Sequence, residues 1–315
     1  MGVCQNEHIM DENNIMEAPR ISRLARLRDL ATFPILRQYI PVFIVVFLAC
    51  SLSMTGLLWY AGDAESDSLY DENSSEGTFS YEGCNVVGID IHGHIDTYST
   101  YVSVAGDEYT EVYSQDIDQL LNEASENEDI KAVLLDIDSP GGTPQGALEI
   151  EQAIHFLNKP SVAWIRSQGT SAAYWAATAA TTIVASPVSD VGSIGVTQSY
   201  VDNAKQNEEN GLTYNSLSTG LFKDAGDPDK PLTKLEHDYV SQNLELILDV
   251  FVSTVAKNRK MSEESVRALA DGSSMTGEIA KEKGLIDIVG GKQAALAELE
   301  KMVGERPTIC WPQYE

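Results

Sequence analysis

No lysine or arginine occurs between Arg37 and Lys131, and the 315-residue chain sets 21 basic residues against 48 acidic ones, a formal net charge of −27. Residues 1–60 hold five arginines and five acids, so the whole excess falls in residues 61–315. A surface of that sign repels nucleic acid and anionic lipid headgroups, which excludes both as partners of the main domain. Cysteine is scarce as well. Cys4, Cys50, Cys84 and Cys310 show no CxxC pair and no Cys/His spacing, so no metal is read from them. His92-Gly93-His94 lacks a third ligand and reads as loop. His155 and His237 fall in helical patterns without a catalytic turn, which argues against a Ser-His-Asp triad. No cofactor is expected.

Charge is absent altogether from Ile40 to Ala61, a run that includes Val42, Phe43, Ile44, Val45, Val46, Phe47 and Leu48. At about 1.5 Å per residue, some 20 residues cross the ~30 Å hydrocarbon layer. Trp59 and Tyr60 close the run as interfacial aromatics. Arg20, Arg23, Arg26, Arg28 and Arg37 in front of it hold residues 1–39 in the cytoplasm and send everything after residue 61 outside. A cleaved signal peptide is the rival, and Phe47-Leu48-Ala49-Cys50 resembles a lipoprotein processing site. The apolar run continues ten residues past Cys50, which favours an uncleaved, single-pass anchor in the cell membrane.

Residues 62–84 are acidic, Ser-rich and poor in apolar side chains, the composition of a solvated linker. From residue 85 to 305 strand and helix patterns alternate. Val86–Ile91 reads as a strand, 114–124 as an amphipathic helix, and Lys131–Ile137 as a buried strand ended by Asp138-Ser139-Pro140-Gly141-Gly142. A helix then begins with Thr143 as its cap and Pro144 in its first turn. Val162–Ile165 and Thr182–Ala185 are further strands. A long helix opens with the capping box Thr233-Lys234-Leu235-Glu236 and carries Val240, Leu244, Ile247, Phe251 and Val255 on one stripe. Shorter helices are expected near 263–270, 277–283 and 294–302, and residues 306–315 form a tail. Short connections between alternating elements predict an α/β domain with a mainly parallel, covered sheet, whose sites collect at the strands' carboxyl ends. Cys84 and Cys310 both fall on the oxidising side of the membrane, so a disulfide between the domain's two ends is allowed, though spacing alone does not establish it.

One such carboxyl end carries Arg166-Ser167-Gln168-Gly169-Thr170-Ser171 and then a run of small residues that packs only as a tight helix. Ser171 therefore stands at a helix N-terminus, where unpaired backbone N–H groups favour a developing oxyanion. A plain N-cap is the competing reading. Lys223 lies in a loop punctuated by Gly220, Gly226 and Pro228, where a surface ion pair with Asp224 or Asp227 is the ordinary expectation.

Five segments together resemble the signal peptide peptidase A (protease IV) family of membrane serine peptidases over residues 85–305. They are Asp-Ser-Pro-Gly-Gly at 138–142, Ser171 with Ala-Ala-Tyr-Trp after it, Gly-Ser-Ile-Gly-Val at 192–196, Phe-Lys-Asp at 222–224, and Thr-Gly-Glu-Ile-Ala-Lys-Glu-Lys-Gly-Leu-Ile-Asp at 276–287. The resemblance implies a ClpP/crotonase-like fold preceded by one transmembrane helix, with Ser171 as nucleophile and Lys223 as general base. The backbone N–H groups of Gly141 or Gly142 would be oxyanion donors. It also implies apolar, signal-peptide-like substrates and a homo-oligomer in which a neighbouring subunit can complete the dyad. Many relatives have Ser-Gly-Gly-Tyr where this chain has Ser171-Ala172-Ala173-Tyr174, which narrows the space beside the scissile bond. A lysine acts as a base near neutrality only when desolvation or a nearby cation disfavours its charge, so Lys223 is expected in a dry pocket. A non-catalytic assembly scaffold and a crotonase-type acyl-CoA enzyme are the alternatives; the membrane span argues against the second.

Overall fold

A computed structural model describes residues 81–99 and 111–312. The expected cytoplasmic tail, the span at 40–61 and nearly all of the acidic linker lie outside the described residues. Among the described residues, no helix is long and apolar enough to cross a membrane.

Strands and helices follow one another as β1 (Val86–Asp96), β2 (Glu111–Tyr113), α1 (Ser114–Glu126), β3 (Ala132–Gly142), α2 (Pro144–Phe156), β4 (Ser161–Thr170), α3 (Ala172–Ala177), β5 (Thr182–Ala185) and β6 (Asp190–Gly192). Then come α4 (Ala204–Glu209), α5 (Lys234–Arg259), α6 (Glu263–Arg267), β7 (Ser274–Thr276), α7 (Gly277–Glu282), β8 (Ile288–Val289), α8 (Lys292–Val303) and β9 (Ile309–Cys310). The sheet runs β2-β1-β3-β4-β5-β8 with every neighbouring pair parallel. β6 continues alongside β4 and pairs antiparallel with β7, while β9 joins β1. The expected α/β domain with a mainly parallel, covered sheet is therefore observed.

Near-continuous burial of β1, β3 and β4 follows from covering both faces of a parallel sheet. On one face Val87, Ile89, Ile91, Val133, Leu135 and Ile137 join residues of α1, α2, α3 and α5 in the main core. On the other, Val86, Ala132, Leu134, Val162 and Val184 pack against Ala295 and Leu299 of α8. That second cover is short. Beyond it the same strand face carries Asp90, His92, Asp136 and Arg166. Asp90 and Asp136 are direct cross-strand partners, and like charges so placed repel unless a cation intervenes. His92 Nε2 lies 3.3 Å from Asp136 Oδ1, and Arg166 Nη1 lies 3.7 Å from Asp136 Oδ2.

Several local expectations need correction. The Pro-Gly-Gly segment does not end β3; the strand runs through Gly142, with register shifts beside His92–His94 on β1 and after Ile137 toward β4. His92 and His94 belong to β1 and not to a loop. The long helix has its capping box, with Thr233 Oγ1 accepting from Glu236 N and the Glu236 carboxylate accepting from Thr233 N. Of its predicted stripe only Phe251 and Val255 are fully buried. Val240, Leu244 and Ile247 are half-exposed, and apart from Glu236 the fully buried residues of the helix begin at Phe251.

The segment read as a tail contributes β9, beside Val86 and Val87, and places Trp311 where a Cβ on Gly88 would lie only 2.4 Å from its ring. Cys84 and Cys310 form a disulfide across 226 residues. This bond, β9 and Trp311 fasten the last residues to the domain's first strand. Replacing Cys84 by serine, or reducing the bond, is expected to lower stability by about 2–4 kcal/mol, read as a fall in denaturation midpoint; an unchanged midpoint would show that β9 and Trp311 suffice.

The charge cluster on β1, β3 and β4 predicts a pH effect. The hydrogen bond to Asp136 raises the His92 pKa above its ordinary value, against the opposing effect of burial. A group whose folded pKa is raised stabilises the fold at pH below its unfolded value, and that contribution is lost as pH rises through the folded value. Unfolding midpoints measured from pH 6 to 8 should thus fall more steeply in the wild type than in His92→Asn; parallel curves would deny the coupling.

Candidate active site

Ser171 closes β4 and opens α3 with φ 54° and ψ −124°, a backbone conformation that is sterically costly for a residue with a Cβ. It occupies the N-cap position, yet its side chain makes no cap hydrogen bond. Its hydroxyl has no hydrogen-bond partner among the described residues. The plain N-cap reading thus fails, and the strained turn presents an unengaged hydroxyl.

Neighbouring segments hold that turn from several sides. Ser171 N donates to Gly192 O at 2.7 Å and Trp175 N donates to Ser171 O at 2.9 Å. Thr170 Oγ1 donates to Pro140 O at 3.0 Å, and Gln168 N donates to Asp138 Oδ1 at 3.3 Å. The two motifs are therefore stitched together at adjacent strand ends. Gly141 adopts φ +110°, and a Cβ there would lie 2.8 Å from Ser171 Cβ and 2.9 Å from Thr170 O. Only glycine fits this approach. The Gly141 N–H donates to the buried Ser139 Oγ at 3.1 Å, which in turn donates to Gly93 O at 2.6 Å. Gly142 lines the cavity beside Ser171 directly.

Below Ser171 the anchoring passes through α3. Tyr174 is wholly buried and its hydroxyl donates to Leu285 O at 2.8 Å. Leu285 belongs to the 276–287 motif, which Arg259 clamps by donating to Gly284 O at 3.1 Å and to both Asp287 oxygens at 2.9 and 2.7 Å. Burial opposes ionisation of Asp287, but the Arg259 hydrogen bonds hold its carboxyl below the usual range. The motif's task here is to seat the helix that follows Ser171.

Lys223 stands apart from this arrangement. It is exposed, where a dry pocket was expected, and it does not line the Ser171 cavity. The ordinary alternative also fails, since its ammonium has no ion-pair or hydrogen-bond partner among the described residues. Asp224 instead accepts from Ser216 Oγ at 2.5 Å and lies 4.0 Å from Lys230 Nζ, and Asp227 accepts from Tyr214. Phe222 stacks on Tyr239 of α5 at 4.3 Å, which fixes the backbone beside Lys223. Lys230 is no substitute base, because its hydrogen bond to Glu236 at 2.5 Å raises its pKa.

The cavity of about 90 Å³ is lined by Gly142, Pro144, Ser171, Ala172, Trp175, Gly195, Val196, Thr197 and Phe251, none of them titratable near neutrality. Sequence reasoning singled out Gly195 and Val196 as part of a motif without giving them a place, and read Phe251 as core; both line the site. For a metal, the one candidate group among the described residues is Asp90, His92 and Asp136, with ligand atoms within 4.8 Å of one another. Arg166 already offsets charge there.

Comparison with known proteins follows the same lines. Residues 155–305 match the family model described as peptidase family S49. MJ0651 of Methanocaldococcus jannaschii, provisionally named a protease, is 33% identical over 185 residues, which cover 58% of this chain and 60% of that one. Protease 4 of Haemophilus influenzae is 28% identical over 193 residues, 60% of this chain and 31% of its own. The chain thus spans less than two thirds of either relative. Among solved structures, the membrane-bound stomatin-specific protease 1510-N, determined as a mutant with a substrate peptide, is 14% identical with a TM-score of 0.49, covering 74% of this chain and 93% of that one.

The packing of Gly141 against Ser171 yields a direct test of the site. Gly141→Ala forces the Ser171 turn to move, and misplacing a reacting group by about 1 Å costs roughly 100-fold in rate. The variant should keep its circular dichroism spectrum and lose at least that much turnover on any substrate the wild type cleaves; near wild-type turnover would exclude Gly141 from the site.

Proposed function

Because residues 155–305 match the model of peptidase family S49, we propose that this chain is a membrane-anchored serine endopeptidase with Ser171 as nucleophile and Lys223 as general base. The observation that carries the proposal is that, among the described residues, a hydroxyl without a partner stands in a strained turn beside a cavity that offers it no base, while an exposed lysine also has no partner. An exposed ammonium, with a reference pKa near 10.4, is a poor proton acceptor at pH 7. Nothing among the described residues covers that ammonium, and in this reading a second copy does so. Leu221, Leu235, Tyr239, Leu246 and Val250 are exposed on Lys223's segment and on α5, an apolar surface suited to such an assembly.

In the assembled site Lys223 of one copy takes the Ser171 proton as Oγ attacks the scissile carbonyl. The backbone N–H of Gly142, which lines the cavity, stabilises the oxyanion, while the Gly141 N–H is held by Ser139 Oγ and supports the turn. Collapse expels the amine, which takes its proton from Lys223, and water clears the acyl-enzyme. Extended apolar peptides, including signal peptides already released from preproteins, are the substrate class. The domain works on the extracytoplasmic face, a placement in keeping with the Cys84–Cys310 disulfide.

Co-expression of Ser171→Ala with Lys223→Ala tests this reading. Each variant alone should lose at least about 1,000-fold in turnover of an apolar fluorogenic peptide. The mixed assembly should recover measurable activity, because some sites combine an intact serine with a neighbour's intact lysine. Full activity in Lys223→Ala would place the base elsewhere, and no recovery on mixing would confine the dyad to one chain.

A further inference from the structure

Trp175 and Phe251 form the floor of the cavity beside Ser171. Their rings stack with centroids 4.6 Å apart and planes 9° from parallel, and both side chains are at least 98% buried. Trp175 is fixed relative to the nucleophile, since its backbone N–H donates to the Ser171 carbonyl one helical turn back. Phe251 arrives from a different element, α5, of which it is the first fully buried apolar residue. An offset or parallel aromatic pair resists displacement beyond what its buried area alone provides, so the floor has a definite depth. Pro144, Ala172 and Val196 add apolar walls.

Resting on the peptidase reading, we infer that Phe251 is a specificity-determining residue, which sets how large a side chain the substrate can place on the acyl side of the cut. A cavity of about 90 Å³ takes a small or branched aliphatic side chain and stops short of an aromatic ring. A charged side chain would be desolvated there without a partner. Removing the Phe251 ring deepens the cavity directly under the substrate while leaving Ser171, the Gly141–Gly142 segment and Lys223 in place. Specificity then changes by size, with no change in the chemistry.

The test uses the full-length wild type, Phe251→Ala and Phe251→Leu on peptides that differ only in the residue before the cleaved bond, which is Ala, Leu, Phe or Lys. Wild type should cleave after Ala or Leu and at least about 10-fold less well, in kcat/KM, after Phe or Lys. Phe251→Ala should raise the Phe-to-Ala ratio of kcat/KM by about 10-fold or more, and Phe251→Leu, which retains more of the floor and is the safer variant for folding, should move it in the same direction. The Lys peptide should remain poor in all three. An active wild type whose ratio stays fixed in folded Phe251→Leu overturns the inference alone. A wild type inert toward all four peptides overturns the peptidase reading and this inference with it.

Discussion

The close approach of Gly141 to Ser171 is the contact on which the rest of the structure depends. Ser171 holds an unfavourable backbone conformation, and strain of this kind persists only where the surroundings over-determine it. Here they do so on three sides. Gly192 O receives the Ser171 N–H, Pro140 O receives the Thr170 hydroxyl, and Tyr174 pins the following helix to Leu285. The two strand ends are brought side by side by the parallel pairing of β3 with β4, which aligns Ser139 with Gly169. Each motif in the chain has a physical task in this scheme, and most of those tasks concern position more than chemistry.

The sheet's two faces divide the work. One buries the helices that carry and support Ser171, and the bidentate Arg259–Asp287 pair closes that side by tying α5 to the segment under Tyr174. The other face is capped by α8 over Val86, Ala132, Leu134, Val162 and Val184 and then turns polar, with His92 and Arg166 offsetting the carboxylates of Asp90 and Asp136. At one edge the disulfide and β9 return the chain's end to its first strand. What is left unburied is concentrated in residues 200–250, where Leu217 and Leu221 are among the most exposed apolar side chains. A chain with so large a negative charge gains solubility from repulsion between copies, so an assembly through this region would have to place its apolar contacts against that repulsion.

Much of the fold was legible because it rests on local signals. Alternating strands and helices with short links required a parallel sheet, and Thr143, Pro144, Thr233 and Glu236 marked helix starts by capping chemistry that the structure reproduces. Ser171 stood out because a small-residue helix follows it directly. Other features depend on partners distant in sequence and left little trace. The apolar stripe of α5 showed that the helix has an apolar face but not what covers it, so Val240 and Leu244 were assigned to a core that ends at Phe251. Pro140 and Gly141 looked like punctuation, yet β3 continues through them because β1 pairs with Gly141 and Gly142 across a register shift. Trp175 and Phe251 meet across 76 residues, and nothing local to either announces the pocket they floor. Lys223 was expected in a dry site on chemical grounds; among the described residues it is exposed, and nothing local to its loop distinguishes the two settings.

The most direct measurement of the central claim is covalent capture of the nucleophile. Full-length protein treated with a fluorophosphonate or an apolar peptide diphenyl phosphonate, which lose fluoride or phenoxide as Oγ bonds to phosphorus, and analysed by peptide mass spectrometry should carry one adduct, on Ser171. Labelling should vanish in Ser171→Ala and slow markedly in Lys223→Ala. An adduct on another serine, or an assembled wild type that takes no label at Ser171 while still cleaving peptides, would contradict the account.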